Sequence, residues 1–226
     1  MGSPQTYGDA CRLALALDLI GKRWALLVVR ELLLGPKRFS DLRRGLPNAS
    51  SNILAERLRE LEEGGVIRRR TLPPPIAAKV YELTEWGLEL EDVVTSLGAW
   101  GARSPVIPAC QTIGTDSIVL ALRSLFDPAA AEDLETTCEL QVGGEVFHVA
   151  VSQGDVDLAR GGRPEAEAGI EVDSAATLAA VLTGQLGLED AEASGALRIE
   201  RSRRAARRFL RLFPMPEPSA AAATSA

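Results

Sequence analysis

Asn52, Glu56 and Arg59 are side chains of the types that read base edges in DNA, and their spacing places them on one side of a helix. The opposite, buried side is predicted to be a leucine stripe, Leu54, Leu58 and Leu61. An asparagine suits adenine, an arginine suits guanine or phosphate, and a glutamate can accept from cytosine N4. The pattern predicts a helix that enters the major groove with its first turns. A merely solvated helix face is the alternative.

Hydroxyl and basic side chains precede and follow this helix. Ser50 and Ser51 can cap it and, with its free N–H groups, hold a phosphate. Arg38, from the preceding basic stretch, is included among the candidate DNA contacts. Arg68 and Arg70 share one face of a predicted strand, and Lys79 lies on the returning strand, so phosphate contact is predicted there as well. Solubility, or pairing with the acidic pair at positions 62 and 63, is the alternative.

The charge of the chain is unevenly distributed. Residues 22–80 carry 13 lysine and arginine residues against 6 acidic ones, a net of +7, although the whole chain is −6. Such a local excess is typical of a phosphate-binding surface. Residues 105–226 have a net charge of −8.

Several other classes of protein are disfavoured by the sequence. His148 is the only histidine, and no nucleophile elbow, phosphate loop or dinucleotide fingerprint is present, so we expect no enzyme and no cofactor. The three cysteines are too far apart for a metal-type pair. No long apolar run and no secretory signal is found, so we expect a cytoplasmic protein that does not enter a membrane.

Two domains are predicted, giving an α+β protein. Residues 9–103 read as a winged helix-turn-helix, mainly α with a two-stranded wing; its helices are expected at 9–20, at 23–34, after a Ser40 cap, at 50–63 and from Thr84 to Gly101, and its strands at 66–72 and 78–84. Residues 104–112 read as a linker and 214–226 as a disordered tail. Residues 113–213 read as a second α+β domain with strands and helices interleaved.

Several short motifs agree in order and spacing over residues 9–101. They are Cys11, the Gly21-Lys22-x-Trp24 stretch, RFSDL, LxxRLxxLE, the YxLTxxG of Tyr81 to Gly87, and Trp100-Gly101. In these the chain resembles the HxlR-type winged-helix regulators, relatives of the MarR group. The resemblance implies a homodimer acting on double-stranded promoter DNA and joined through the first and last helices of the domain, with Leu13, Leu17, Leu90, Val93, Leu97 and Trp100 as the dimerisation residues. Arg12 replaces a common proline, and the wing tip PPPIAA is unusual.

The second domain resembles the sterol-carrier-protein lipid-binding fold. The resemblance rests on the helix–strand–strand order, on the spacing of Ile170, Val172, Leu178, Leu182, Thr183, Gly184 and Leu186, and on the strand before a last helix that ends LRLF. It implies a small apolar ligand held between sheet and helices, with a lining of Phe147, Val149, Val151, Leu178, Leu182, Leu186, Phe209 and Phe213. The same side chains can equally fill a solid core.

Two further hypotheses remain open. The N-terminal cysteine senses electrophiles or oxidants in some of the HxlR-type proteins, and carried to Cys11 this predicts a redox switch; a small buried hydrophobe is the alternative. The second hypothesis is that the chain is an apolar-ligand carrier whose winged helix mediates protein contacts. An arginine row, Arg203, Arg204, Arg207, Arg208 and Arg211, is expected on one face of the last helix and reads either as a further DNA contact or as a solvated face.

Overall fold

The structure is a computed structural model that describes residues 6–74, 77–104, 112–131 and 134–216. It confirms the mixed α+β class, and its chain divides into two compact units, residues 1–94 and 95–226. This division falls inside a helix, before the linker expected at 104–112, so the proposed domain limits stay predictions. Most of that linker, most of the tail expected at 214–226 and part of the wing tip lie outside the described residues. None of the described helices is long and apolar enough to cross a bilayer.

The first unit has the helix and strand order of a winged helix-turn-helix. Its elements are α1 (Arg12–Ile20), α2 (Ala25–Leu33), α3 (Phe39–Gly45), α4 (Ser51–Glu63), β1 (Ile67–Thr71), β2 (Lys79–Leu83), α5 (Glu85–Leu88) and α6 (Leu90–Ala102), the last of which continues into the second unit. The strands β1 and β2 pair antiparallel, with Ile67 opposite Leu83 and Thr71 opposite Lys79. The predicted two-stranded wing is therefore confirmed.

One apolar core holds these helices together. The predicted stripe of α4 is fully buried, with Leu54, Leu58 and Leu61 at most 1% exposed. It packs with the apolar side of α2 and with Leu42 of α3. The chain leaves α4 through Gly65, whose φ of +74° favours a residue without a Cβ.

Two local predictions are wrong. Ser40 does not cap α3 but lies inside it; Arg38 occupies the N-cap, and its backbone N–H donates to the Asp41 carboxylate at 3.2 Å. The helix expected from Thr84 to Gly101 is broken after Leu88. Thr84 does cap α5, accepting from the N–H of Gly87 at 3.0 Å, but a Cβ at Gly87 would overlap the carbonyl oxygen of Val66. This turn therefore lies close to the backbone that leads into β1, and α6 begins anew at Leu90.

The second unit is a five-stranded sheet with helices. After α7 (Thr115–Leu125) and α8 (Pro128–Ala131) come β3 (Thr136–Val142), β4 (Glu145–Ser152), β5 (Asp155–Arg160), β6 (Ala168–Val172), α9 (Ala175–Leu182), α10 (Leu188–Ala193), β7 (Leu197–Arg201) and α11 (Arg203–Leu210). The strand order is β5-β4-β3-β6-β7, with only the β3–β6 pairing parallel. The helices α8 and α10 were not expected from the sequence.

Alternation along the strands separates a buried face from a polar one. Phe147, Val149 and Val151 lie on the buried face of β4, as the sequence predicts. The same face of β3 carries Cys138 and Leu140. Their neighbours on the other face are half-exposed, so one side of this sheet carries the core of the unit.

Candidate nucleic-acid interface

Helix α4 presents a polar face to the solvent. Asn52, Glu56 and Arg59 are exposed there, because the leucines on the opposite side fix how the helix is rotated. Ser50 occupies the N-cap and accepts from the N–H of Ile53 at 3.3 Å. The remaining free N–H groups of the first turn are a favourable position for an anion.

Carboxylates on α4 hold the arginines of the same helix. The guanidinium of Arg59 lies 3.8 Å from the Glu63 carboxylate, with both side chains mostly exposed. Arg57 instead turns inward, is buried, and contacts Glu60 and Glu56. Only Arg59 of the two is therefore available to a base or a phosphate.

The wing arginines share one carboxylate. Arg68 and Arg70 lie 2.8 and 2.9 Å from the two oxygens of Glu82, whose side chain is nearly buried on β2. This confirms that the two arginines lie on the same face of β1. Arg69 points the other way, where it contacts Glu62 at 2.9 Å and stacks its guanidinium over Tyr81.

Two predicted phosphate contacts lie free at the edges of this surface. Arg38 at the start of α3 and Lys79 at the start of β2 are both exposed. Within the described parts of the chain, neither forms an ion pair. Arg23 and Arg43, which the sequence analysis did not single out, are in the same situation, although Arg23 also lies over the ring of Trp24.

The number of lysines and arginines in residues 22–80 overstates how many of them are available at the surface. Lys37 and Arg30 lie 2.5 and 2.7 Å from Glu31, which is only 1% exposed, and Lys22 lies 2.5 Å from Glu60. Three of the counted cations therefore serve the interior or a neighbouring carboxylate. A single acidic residue within the apolar sequence of α2 was the signal for such a buried pair, since a buried charge requires a partner. Glu82 carried no comparable signal.

Comparison with known proteins places this arrangement in a family. Residues 19–105 match the family model described as HxlR-like helix-turn-helix. The HTH-type transcriptional regulator YodB of Bacillus subtilis (strain 168) is 41% identical over 85 residues, which cover 38% of this chain and 76% of YodB. The chain belongs to the HxlR-like helix-turn-helix family. It is a DNA-binding transcriptional regulator, as its relatives are named.

Further relatives of this HxlR-like regulator match the same part of the chain. The uncharacterized HTH-type transcriptional regulator YvaP of Bacillus subtilis (strain 168) is 39% identical over 88 residues, 39% of this chain and 82% of YvaP. The structure of the reduced form of YodB from B. subtilis has a TM-score of 0.38 and 37% identity, and the match covers 42% of this chain and 93% of that one.

The residues predicted for dimerisation of the HxlR-like regulator are mostly exposed in the single chain. On α1, Leu13 is 67% exposed and Leu17 is also accessible. On α6, Val93, Leu97 and Trp100 are exposed, Trp100 to 77%. Leu90 is instead half-buried, because it packs against the core of the winged helix.

The residues predicted to line a ligand cavity are largely packed. Six of them are buried, namely Phe147, Val149, Val151, Leu178, Phe209 and Phe213, whereas Leu182 and Leu186 are half-buried. The rings of Phe209 and Phe213 meet edge to face at 5.0 Å.

The other residues of interest lie at separate places. Cys11 is exposed at the N-cap of α1, whereas Cys138 is buried, and its burial raises the pKa of its thiol to about 12. His148 is half-buried opposite Glu139. The described residues contain no cluster of histidine, cysteine and acidic side chains that could hold a metal ion.

Proposed function

We propose that this regulator binds promoter DNA as a homodimer, with α4 in the major groove and the wing on the phosphates. The observation that carries the proposal is the exposed row of Asn52, Glu56 and Arg59 on a helix whose other side is locked into the core. Ser50, Ser51, Arg38, Arg68, Arg70 and Lys79 would contact phosphates around it. We also expect a cytoplasmic protein.

Arg59→Ala tests the base-reading part of the proposal. A bidentate contact to guanine contributes about 1–3 kcal/mol of discrimination, so affinity for the native operator should fall by that amount and preference at one base position should relax. Glu63→Gln is the matched control, because it removes the carboxylate near Arg59 without removing the guanidinium. Equal losses on operator and on random duplexes would show that Arg59 contacts only phosphate.

The homodimer is supported by apolar side chains that a single chain leaves in water. Val93, Leu97 and Trp100 are exposed on one helix, and covering such a surface is favourable by about 25 cal/mol per Å². Leu97→Glu would place a charge in the buried interface, so sedimentation at micromolar concentration should find a monomer with weakened operator binding. Ser96→Glu is the control, because it adds the same charge to α6 at another exposed residue. A dimer that survives Leu97→Glu would place the interface elsewhere.

A second candidate is redox control through Cys11. The thiol is exposed at the N-cap of α1, so that an oxidant or an electrophile in solution can reach it. Treatment with diamide should release DNA from the wild type but not from Cys11→Ser. Equal release from both would exclude Cys11 as the sensor.

Control by a small apolar ligand is a separate proposal, resting on the resemblance of the second unit to sterol-carrier proteins. Leu182 and Leu186 are half-buried and would form the entrance of such a cavity. A long-chain fatty acid used as the probe should raise the melting temperature of the full chain, and Leu182→Trp should remove the shift while DNA binding stays intact. The ligand must also bind the DNA-competent and incompetent forms unequally. If no compound of a broad apolar library raises the melting temperature, the second unit does not have this role.

A further inference from the structure

The last helix carries a strongly basic face on an otherwise acidic unit. Five of the ten arginines of residues 105–226 lie on α11 or at its C-cap, while the same residues contain 18 aspartates and glutamates. All five arginines, Arg203, Arg204, Arg207, Arg208 and Arg211, line one shallow surface depression. We name this surface the α11 arginine face. The buried side of the helix is formed by Ala205, Ala206 and Phe209, so none of the five guanidinium groups is needed for the core.

The centre and the borders of the α11 arginine face differ in their partners. At 100° per residue the five side chains span an arc of about 140°, with Arg204 and Arg211 in the middle. On one border Arg203 and Arg207 lie 2.5 and 2.6 Å from carboxylates of α10, and on the other Arg208 lies 3.9 Å from Glu167. Among the residues that the structure describes, Arg204 and Arg211 contact no carboxylate, and both are exposed.

An arrangement of this kind is suited to a row of phosphates. The border arginines are held in position by carboxylates, while the two exposed central guanidinium groups keep their donors for an anion. Along the helix axis Arg204 and Arg211 are separated by about 10 Å, close to the axial rise of three nucleotides of one DNA strand. A planar guanidinium can contact a phosphate through two hydrogen bonds, which a compact ammonium group cannot do.

We propose that the α11 arginine face is a second, sequence-independent binding surface for the phosphate backbone of duplex DNA. The partner is argued from the role of the chain, since a regulator that binds DNA through its winged helix brings the duplex to the rest of the same chain. A tethered second site works at an effective concentration in the millimolar range, so a weak surface of this kind adds to the total affinity. The acidic remainder of the unit repels DNA and confines contact to this face.

The test measures binding of the full chain to a mixed-sequence duplex of about 40 base pairs as a function of salt concentration. Each lost phosphate contact makes the slope of log K against log salt shallower by about 0.9. The variant Arg204→Ala/Arg211→Ala should therefore lower the slope by about 1.8, which corresponds to an affinity loss of up to about 60-fold at 0.1 M salt. Arg204→Lys/Arg211→Lys should retain most of the slope, because both positive charges remain.

The matched control removes the same charge from the same unit at other places. Arg163→Ala/Arg198→Ala deletes two exposed arginines that contact Glu165, Glu171 and Glu200. This control should leave the slope unchanged, and equal slope changes in the two double variants would overturn the proposal as a net-charge effect. An unchanged slope in Arg204→Ala/Arg211→Ala would overturn it directly. Melting temperatures close to that of the wild type confirm that both variants are folded.

Two further outcomes distinguish this inference from the proposed function and from binding to a lipid surface. The inference rests on the proposed function, DNA binding by the winged helix, which the binding curve of the wild type measures. If the wild type binds DNA but Arg204→Ala/Arg211→Ala has the same slope of log K against log salt, the inference alone fails. Vesicles of phosphatidylserine and phosphatidylcholine supply the other phosphate source. If Arg204→Ala/Arg211→Ala abolishes vesicle binding and leaves the DNA slope intact, the face serves a lipid surface and the proposal is wrong.

Discussion

Glu82→Gln is expected to strengthen non-specific DNA binding while weakening the fold. The carboxylate of Glu82 contacts both wing arginines, Arg68 at 2.8 Å and Arg70 at 2.9 Å. The arginine side chains are 64% and 50% exposed, so solvent screens each pair and an exposed pair contributes about 0.2–1 kcal/mol. Glutamine keeps an acceptor for one of them. We therefore expect the free energy of unfolding to fall by about 1 kcal/mol, a decrease in melting temperature of about 4–8 °C for a domain of this size.

The effect on DNA binding has the opposite sign. In the free protein one negative charge neutralises half of the charge that Arg68 and Arg70 offer to phosphates. Removing it adds about one effective phosphate contact, so the slope of log K against log salt should become steeper by about 0.9. At 0.1 M salt this corresponds to an affinity about eightfold higher than that of the wild type.

Fluorescence anisotropy with a labelled mixed-sequence duplex, repeated over a range of salt concentrations, measures both quantities. Glu62→Gln is the control, since it removes the same charge from the opposite face of the wing, where Arg69 lies. Its slope should change much less. A weaker affinity for Glu82→Gln with an unchanged slope would refute the reasoning, because Glu82 would then orient the arginines for DNA and not compete with it.

Three further predictions concern the fold and its cysteines. Glu31→Gln removes the buried carboxylate that Lys37 contacts at 2.5 Å, and chemical denaturation should find a loss of about 3–5 kcal/mol; a loss below 1 kcal/mol would mean that the cation reaches solvent. Ser50→Ala removes the N-cap of α4 and should cost about 0.5–2 kcal/mol, whereas exposed Ser96→Ala should cost almost nothing. Brief alkylation at pH 8 followed by peptide mapping should modify the exposed Cys11 but spare the buried Cys138. The pKa of the Cys138 thiol is about 12 in the folded chain and near its ordinary value of 9.0 in the unfolded chain. The free energy of unfolding should therefore decline as the pH rises from 9 to 12, because the unfolded chain loses this proton first.

Local signals in the sequence were sufficient to predict helix α4 of the winged helix. The Ser50 cap, the leucine stripe of α4 and Gly65 each act within one or two helical turns, and so the limits of this helix could be predicted closely. The break before α6 could not be predicted in this way; at this turn Gly87 comes close to the backbone of Val66, a contact between residues distant in sequence. The short helix α10 was missed because its six residues are too few to show a periodic apolar side.

The site was only partly predictable for a related reason. Sequence spacing placed Arg68 and Arg70 on one face, since alternation along a strand is local. Their partner Glu82 stands opposite Arg68 only once the register of β1 and β2 is known. The carboxylates that the sequence offers as partners, at positions 62 and 63, are nearer in the chain, and one of them, Glu62, does contact Arg69. The neutralisation of Arg68 and Arg70 by a carboxylate on the neighbouring strand could therefore be found only from the structure.

The parallel pairing of β3 with β6 has a consequence for synthesis of the chain. Strands β3, β4 and β5 follow one another and can pair as soon as they leave the ribosome, but one edge of β3 stays unpaired until β6, whose Ala168 lies opposite Cys138, has been made. An unpaired apolar edge is a template for association between chains. The winged helix, complete before β3 is synthesised, can fold first and keep the nascent chain soluble. Aggregation during overexpression should therefore begin in the sheet unit, and slower translation through residues 143–167 should increase it.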